Sequence, residues 1–114
     1  MIHYMKLRRE PFLAISSGEK TYELRLYDEK RRAIRVGDII EFTETESAAK
    51  VRRIVTELLT FPGFSELYRS LPLLKCGYTK ENVQFAPPED MNAYYSPSEE
   101  REWGVIAIGL CEEC

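Results

Sequence analysis

Ser17-Gly18-Glu19-Lys20-Thr21-Tyr22-Glu23-Leu24-Arg25-Leu26-Tyr27-Asp28 carries the pattern that decides the fold. Gly18 closes a short segment with an apolar face, and glycine suits the left-handed position just past a helix end. From Tyr22 to Tyr27 the chain then alternates. Tyr22, Leu24 and Leu26 point one way, while Glu23, Arg25 and Tyr27 point the other. A period of two is that of a half-buried strand. The apolar set is expected to face the core, leaving an acid, a base and an aromatic together on the opposite face. This segment is therefore a turn feeding a strand, and its polar face is the candidate working site.

Upstream, His3 to Leu7 alternates as an opening strand. Glu10 to Gly18 reads as a short helix, with Pro11 in its first turn and Phe12 and Ile15 on one face. Downstream, Val36-Gly37-Asp38 is a turn signal before a strand from Ile39 to Thr43. Glu44 to Ala49 forms a polar hairpin loop. Lys50 to Leu59 is rich in β-branched residues and reads as a long strand. Phe64 to Leu71 is an amphipathic helix stopped by Pro72, and Tyr78 to Pro88 is loop. Glu89 to Tyr95 is expected to form a helical turn. Ser96, Pro97 and Glu99 spell a capping box for a further helix that Gly104 ends. Val105 to Leu110 is an unbroken apolar run and so a central strand.

Strands and helices do not alternate as in a doubly wound parallel sheet. The pattern predicts an α+β fold: a curved, mostly antiparallel β-barrel with short helices packed at its ends. A length of 114 residues fits one domain over residues 1–114. With 44% apolar and 31% charged residues, the chain has the composition of a globular protein. No apolar run approaches the roughly 20 residues of a membrane helix, and the first residues lack a signal-peptide core. A cytoplasmic protein without membrane association is expected.

Three cysteines, Cys76, Cys111 and Cys114, argue against a disulfide framework. Cys111-Glu112-Glu113-Cys114 is a C-x-x-C, and Cys76 or His3 would have to complete a metal site. A single C-x-x-C without a second pair is weak support for one, so no metal and no cofactor are assigned. The net charge of −3 hides an asymmetry: residues 1–35 carry nine Lys/Arg against five Asp/Glu, a local balance of +4. Local positive charge admits a nucleic-acid partner despite the acidic total.

The residues quoted so far carry a resemblance. Pro11-Phe12 opening a helix, Ser17-Gly18-Glu19-Lys20-Thr21, Glu23-Leu24-Arg25, Asp28-Glu29-Lys30-Arg31 and Val36-Gly37-Asp38 followed by Ile39-Ile40-Glu41-Phe42 are similar to an ASCH domain (activating signal cointegrator homology). The likeness continues through Phe64-Ser65-Glu66-Leu67-Tyr68, Pro72-Leu73, Pro88-Glu89-Asp90-Met91 and Tyr94-Tyr95-Ser96 to the closing strand. It implies a PUA-like barrel whose cleft is lined by the Gly-x-Lys-Thr turn and the following strand. The implied role is binding RNA or a modified nucleoside. One bacterial branch of the family deacylates acetylated cytidine nucleosides with a lysine, a threonine three residues later and a late glutamate. Those positions fall here on Lys20, Glu23 and Glu89. A carboxylate in place of a hydroxyl nucleophile changes the mechanism of acyl transfer, and Thr21 lies two residues away from the expected position.

The residue chemistry is compatible with either role. Lys20, Glu23, Arg25 and Glu89 would set two cations and two carboxylates around one cleft. Arg25 offers a planar donor fork, and Lys20 a point charge. Thr21 belongs to the same turn. Tyr27 would stack on a base, and Lys30, Arg31 and Arg32 would track a phosphate backbone. Three functions follow: binding of RNA or a nucleoside; amide hydrolysis with Lys20, Glu23 and Glu89 as the catalytic set, a carboxylate activating water beside Lys20; or a protein-interaction adaptor with a vestigial cleft, where Glu23 and Arg25 only fix the strand through ion pairs.

Overall fold

The computed structural model describes residues 1–112. Its organisation follows from the Gly18 junction. Helix α1 (Arg9–Ser17) ends because Gly18 adopts φ 86°, a conformation that resists a side chain. The Gly18 N–H donates to the Ile15 carbonyl at 3.1 Å, and the Lys20 N–H to the Ala14 carbonyl at 3.0 Å. Those two bonds turn the chain into β2 (Tyr22–Leu26).

With β1 (Ile2–Leu7), β3 (Ile39–Glu44), β4 (Lys50–Phe61) and β5 (Val105–Cys111), β2 forms one sheet in the order β1-β3-β4-β5-β2. Three pairings are antiparallel, and β1 and β3 run parallel, with Ile2 opposite Ile39 and Leu7 opposite Glu44. The crossover that a parallel pair requires is supplied by α1, β2 and α2 (Glu29–Arg32). The sheet curls into a half-barrel with β1 and β2 as its two edges. Helix α2 was not legible as a helix: at four residues it has no periodicity, and what nucleates it is Asp28, whose carboxylate accepts from the Arg31 N–H.

Apolar side chains pack on both faces of the sheet. Ile106, Ile108 and Leu110 of β5 join Met5, Phe12, Ile15, Ile40, Phe42 and Val55 in one cluster. Val105 and Ala107 point the other way, into a cluster with Leu24, Leu26, Phe64, Leu67 and Tyr68. The second cluster is covered by α3 (Phe64–Ser70), a 3-10 turn over Pro88–Ala93 and α4 (Pro97–Trp103), which has the capping box between Ser96 and Glu99. The β4–β5 ladder slips by one residue between Val55 and Glu57. Gly109 makes that bulge possible, since a Cβ there would stand 2.6 Å from Glu57 Cγ.

Leu24 and Leu26 face the core as their alternation requires. The opposite face of β2 is not open, however. It is turned toward the other edge of the half-barrel, so Glu23 is only 3% exposed. Tyr27 lies past the end of β2 and stays on that face, but it does not line the cleft beside Glu23 and Arg25. Its ring packs against the first cluster, under the Arg32 guanidinium at 4.3 Å.

Candidate functional site

Glu23 is the centre of the polar cluster. Its Oε1 is ion-paired with Lys20 Nζ at 2.9 Å. Its Oε2 accepts a hydrogen bond from Arg25 Nε at 2.8 Å and is ion-paired with Nη2 at 2.7 Å. Burial by itself would raise the Glu23 carboxyl, but the Lys20 ammonium and then the Arg25 guanidinium outweigh it and hold it below the usual carboxylate range. Burial likewise acts to lower Arg25, and Glu23, followed by Tyr95, reverses it and raises the guanidinium. Arg25 Nη2 also donates to the Lys6 carbonyl on β1 at 3.0 Å, across the open seam of the half-barrel.

These three side chains line a cleft of about 550 Å³ between the β1–α1 edge and the segment from Cys76 to Tyr95. That volume lies within the range of small-molecule sites, roughly 300–1,000 Å³. Lys6, Arg8 and Glu10 border it on one side, and Tyr68, Tyr78, Asp90, Tyr94 and Tyr95 on the other. Tyr78 donates its hydroxyl proton to Asp90 Oδ2 at 2.8 Å, and the Tyr68 hydroxyl lies 2.7 Å from that of Tyr78. Tyr94 is exposed at the rim, where the Arg8 guanidinium stands 5.5 Å from its ring centre. The Cys76 thiol also lines the cleft, and burial pushes it up to about 11, so it stays a protonated, unreactive thiol.

The residues singled out from sequence therefore separate. Lys20, Glu23 and Arg25 converge. Thr21 does not line the cleft: its N–H donates to the Lys75 carbonyl at 2.9 Å and its carbonyl accepts from the Leu110 N–H at 2.8 Å, which anchors the turn. Lys30 donates to the Tyr4 carbonyl at 2.7 Å, and burial, then Arg31 and Arg25, lower its ammonium. Arg31 pairs with Asp28 at 2.9 Å, and Arg32 donates to the carbonyls of Tyr27 and Trp103. Each of these three cations is thus tied to the protein. Glu89 is exposed and outside the cleft lining, whereas its neighbour Asp90 lines it. A 3-10 turn of about three residues per turn places Asp90, Met91 and Tyr94 toward the cleft and Glu89 away from it.

Asp90, Tyr78, Lys6 and Arg8 were not singled out from sequence as site residues. Tyr78 lies in a stretch without periodicity, and Lys6 and Arg8 reach the cleft only because the parallel β1–β3 pairing brings β1 opposite β2. No group of three or more His, Cys, Asp or Glu among the described residues is arranged to hold a metal. Cys114, half of the C-x-x-C, lies outside the described residues. No helix among the described residues is long and apolar enough to cross a membrane.

The arrangement has a clear chemical bias. Both Glu23 oxygens are occupied by cations, which makes this carboxylate a poor nucleophile and a poor base for water. Lys20 keeps two ammonium N–H donors beyond the one facing Glu23, and Arg25 Nη1 donates to no carboxylate or carbonyl among the described residues. The floor of the cleft therefore presents donors.

The ASCH domain profile matches residues 5–112. The chain belongs to the ASCH domain family. The hypothetical protein PH0355 is 31% identical over 96% of this ASCH domain and 97% of its own chain, with a TM-score of 0.78. Protein PF0455 from Pyrococcus furiosus is 28% identical, covers 96% of each chain and has a TM-score of 0.71. The ASCH protein from Zymomonas mobilis shares the fold at 17% identity and a TM-score of 0.64, and this ASCH domain spans 67% of its length. No curated protein matches the sequence. ASCH domains have a PUA-related fold of the RNA-binding-like kind.

Proposed function

We propose that this ASCH domain binds a nucleoside, free or as one nucleotide of an RNA, in the cleft floored by Lys20, Glu23 and Arg25. One observation carries the reading: a buried carboxylate, itself useless to a ligand, holds Lys20 and Arg25 in fixed positions beneath a cleft bordered by four tyrosines. Fixed cations suit phosphate or carbonyl oxygens, and aromatic rings suit a base. The occupied oxygens of Glu23, and the placement of Thr21 and Glu89 outside the cleft, favour binding over deacylation of an acetylated cytidine.

The tying of Lys30, Arg31 and Arg32 to the protein favours a ligand of one or two nucleotides over a tracked phosphate backbone. Calorimetric titration with nucleoside monophosphates and with short single-stranded RNA at two salt concentrations tests this. Saturable binding of the monophosphates is expected, abolished by Lys20→Ala. For RNA the salt slope should correspond to one or two phosphates, about −0.7 each. Absence of binding to both overturns the reading, and a slope of many phosphates replaces the cleft with a surface track.

A further inference from the structure

The hydrogen bonds on the tyrosine wall have a fixed direction. A carboxylate has no proton to give, so the 2.8 Å contact between Tyr78 and Asp90 Oδ2 uses the only proton of the Tyr78 hydroxyl. The Tyr78 oxygen is then an acceptor toward Tyr68, and the 2.7 Å contact between them uses the Tyr68 proton. The rings are locked edge to face, with centroids 5.8 Å apart, and Tyr68 is buried in the second apolar cluster. The hydroxyl protons of Tyr68 and Tyr78 are both committed within the protein. What remains for a ligand is lone pairs: Asp90 Oδ1 makes no hydrogen bond among the described residues, and the hydroxyl oxygens add acceptor capacity.

The cleft is thus sided. Lys20 and Arg25 are donors only, while the wall of Tyr68, Tyr78 and Asp90 accepts only. Resting on the reading of the cleft as a nucleoside site, we infer that Asp90, held by the Tyr68–Tyr78 chain, is a specificity-determining residue that selects nucleobases carrying an exocyclic amino group over uracil. Cytosine, adenine and guanine each set an amino donor beside a ring or carbonyl acceptor, so one edge satisfies both sides of the cleft. Uracil flanks its single N–H with two carbonyls, so feeding that N–H to Asp90 brings carbonyl lone pairs toward the carboxylate, which the amino group of cytosine, set beside a C–H, avoids on one side. A site built around hydrogen bonds rejects the ligand that cannot make them.

Titration of the full chain with CMP, GMP, AMP and UMP, which share one phosphate and differ only in the base, tests the assignment. CMP against UMP is decisive because the ring size is the same. The expected result is CMP binding about tenfold or more tighter than UMP. Asp90→Asn keeps the size of the side chain and an oxygen for Tyr78 but adds a donor. It should weaken CMP, strengthen UMP and close the gap. Tyr78→Phe removes the group that holds Asp90, and it should narrow the same ratio by weakening CMP alone. Equal affinity of CMP and UMP for the unmodified chain overturns the inference while leaving the nucleoside reading standing. A uniform loss over all four ligands in Asp90→Asn, with a lowered Tm, makes the wall merely structural and overturns it as well. Failure of all four to bind removes both the inference and the reading beneath it.

Discussion

Arg25 Nη2, on the edge strand β2, donates to the main-chain carbonyl of Lys6 on the opposite edge strand β1 at 3.0 Å. The same guanidinium grips Glu23 through Nε and Nη2. One side chain therefore closes the seam of the half-barrel and builds the floor of the cleft. Ligand binding and sheet closure share a residue, so variants at this position should report on both.

Arg25→Lys keeps the charge but loses the fork, and one ammonium is a poor substitute for two bonds made in different directions. The lost hydrogen bonds to a carboxylate and a carbonyl predict a destabilisation of about 1.5–3 kcal/mol in urea unfolding. Amide exchange in β1 should accelerate more than in β5, because β1 loses its tie across the seam. Wild-type stability with unchanged β1 protection would show that the seam is closed by other contacts.

Glu23→Ala leaves Lys20 and Arg25 buried side by side with no counter-charge. Breaking a buried ion pair from one side costs about 3–5 kcal/mol, a large share of the 5–15 kcal/mol typical of a folded domain. Glu23→Gln retains the shape and two hydrogen-bonding atoms and should cost less. Denaturant midpoints at neutral pH rank the two, and an alanine variant as stable as the parent would contradict the assigned anchoring role.

The folded-state carboxyl of Glu23 lies below its ordinary value of 4.5, so its ionised form is favoured by folding. That stability is fully present above the unfolded-state value and is lost as pH falls through the folded one. Asp38, lowered by its hydrogen bond from His3 and that from the Arg35 N–H, acts in the same direction. Unfolding free energy should therefore fall with acidification once pH drops below about 4.5. The fall should be shallower in Glu23→Gln, which has no carboxyl to protonate. Identical acid profiles for parent and variant would remove Glu23 from this linkage.

Gly109→Ala would drive a methyl group into Glu57 Cγ and Thr56 Oγ1, at 2.6 and 2.9 Å from the new atom. Overpacking of this kind costs about 1–3 kcal/mol. Thermal unfolding measures it, and a neutral effect would mean that the β4 bulge relaxes freely.

The elements that sequence revealed were those set by local chemistry. The alternation around Leu24 and Leu26, the Gly18 helix end and the Ser96 capping box each depend on a few neighbouring residues, and each stands in the structure as read. What escaped was non-local. The parallel register of β1 on β3 has no local signature, yet it brings Lys6 opposite Arg25 and converts the polar face of β2 from an open surface into a closed seam. That is why Glu23 is buried. Glu89 and Asp90 differ by one position, and the choice between them depends on a 3-10 turn that an amphipathic pattern cannot distinguish from other helical turns. Tyr78 had no pattern at all: its place is set by its bonds to Tyr68 and Asp90.

Chemical-shift mapping of the isotope-labelled chain, titrated with nucleoside monophosphates, shows whether this cleft is the working site for a nucleoside-sized ligand. Saturable shifts are expected at Lys20, Arg25, Tyr78, Asp90 and Tyr94, with the hairpin loop after Glu44 unmoved and the pattern lost in Lys20→Ala. Shifts confined to Lys30, Arg31 and Arg32, or no shifts at all, would contradict that reading.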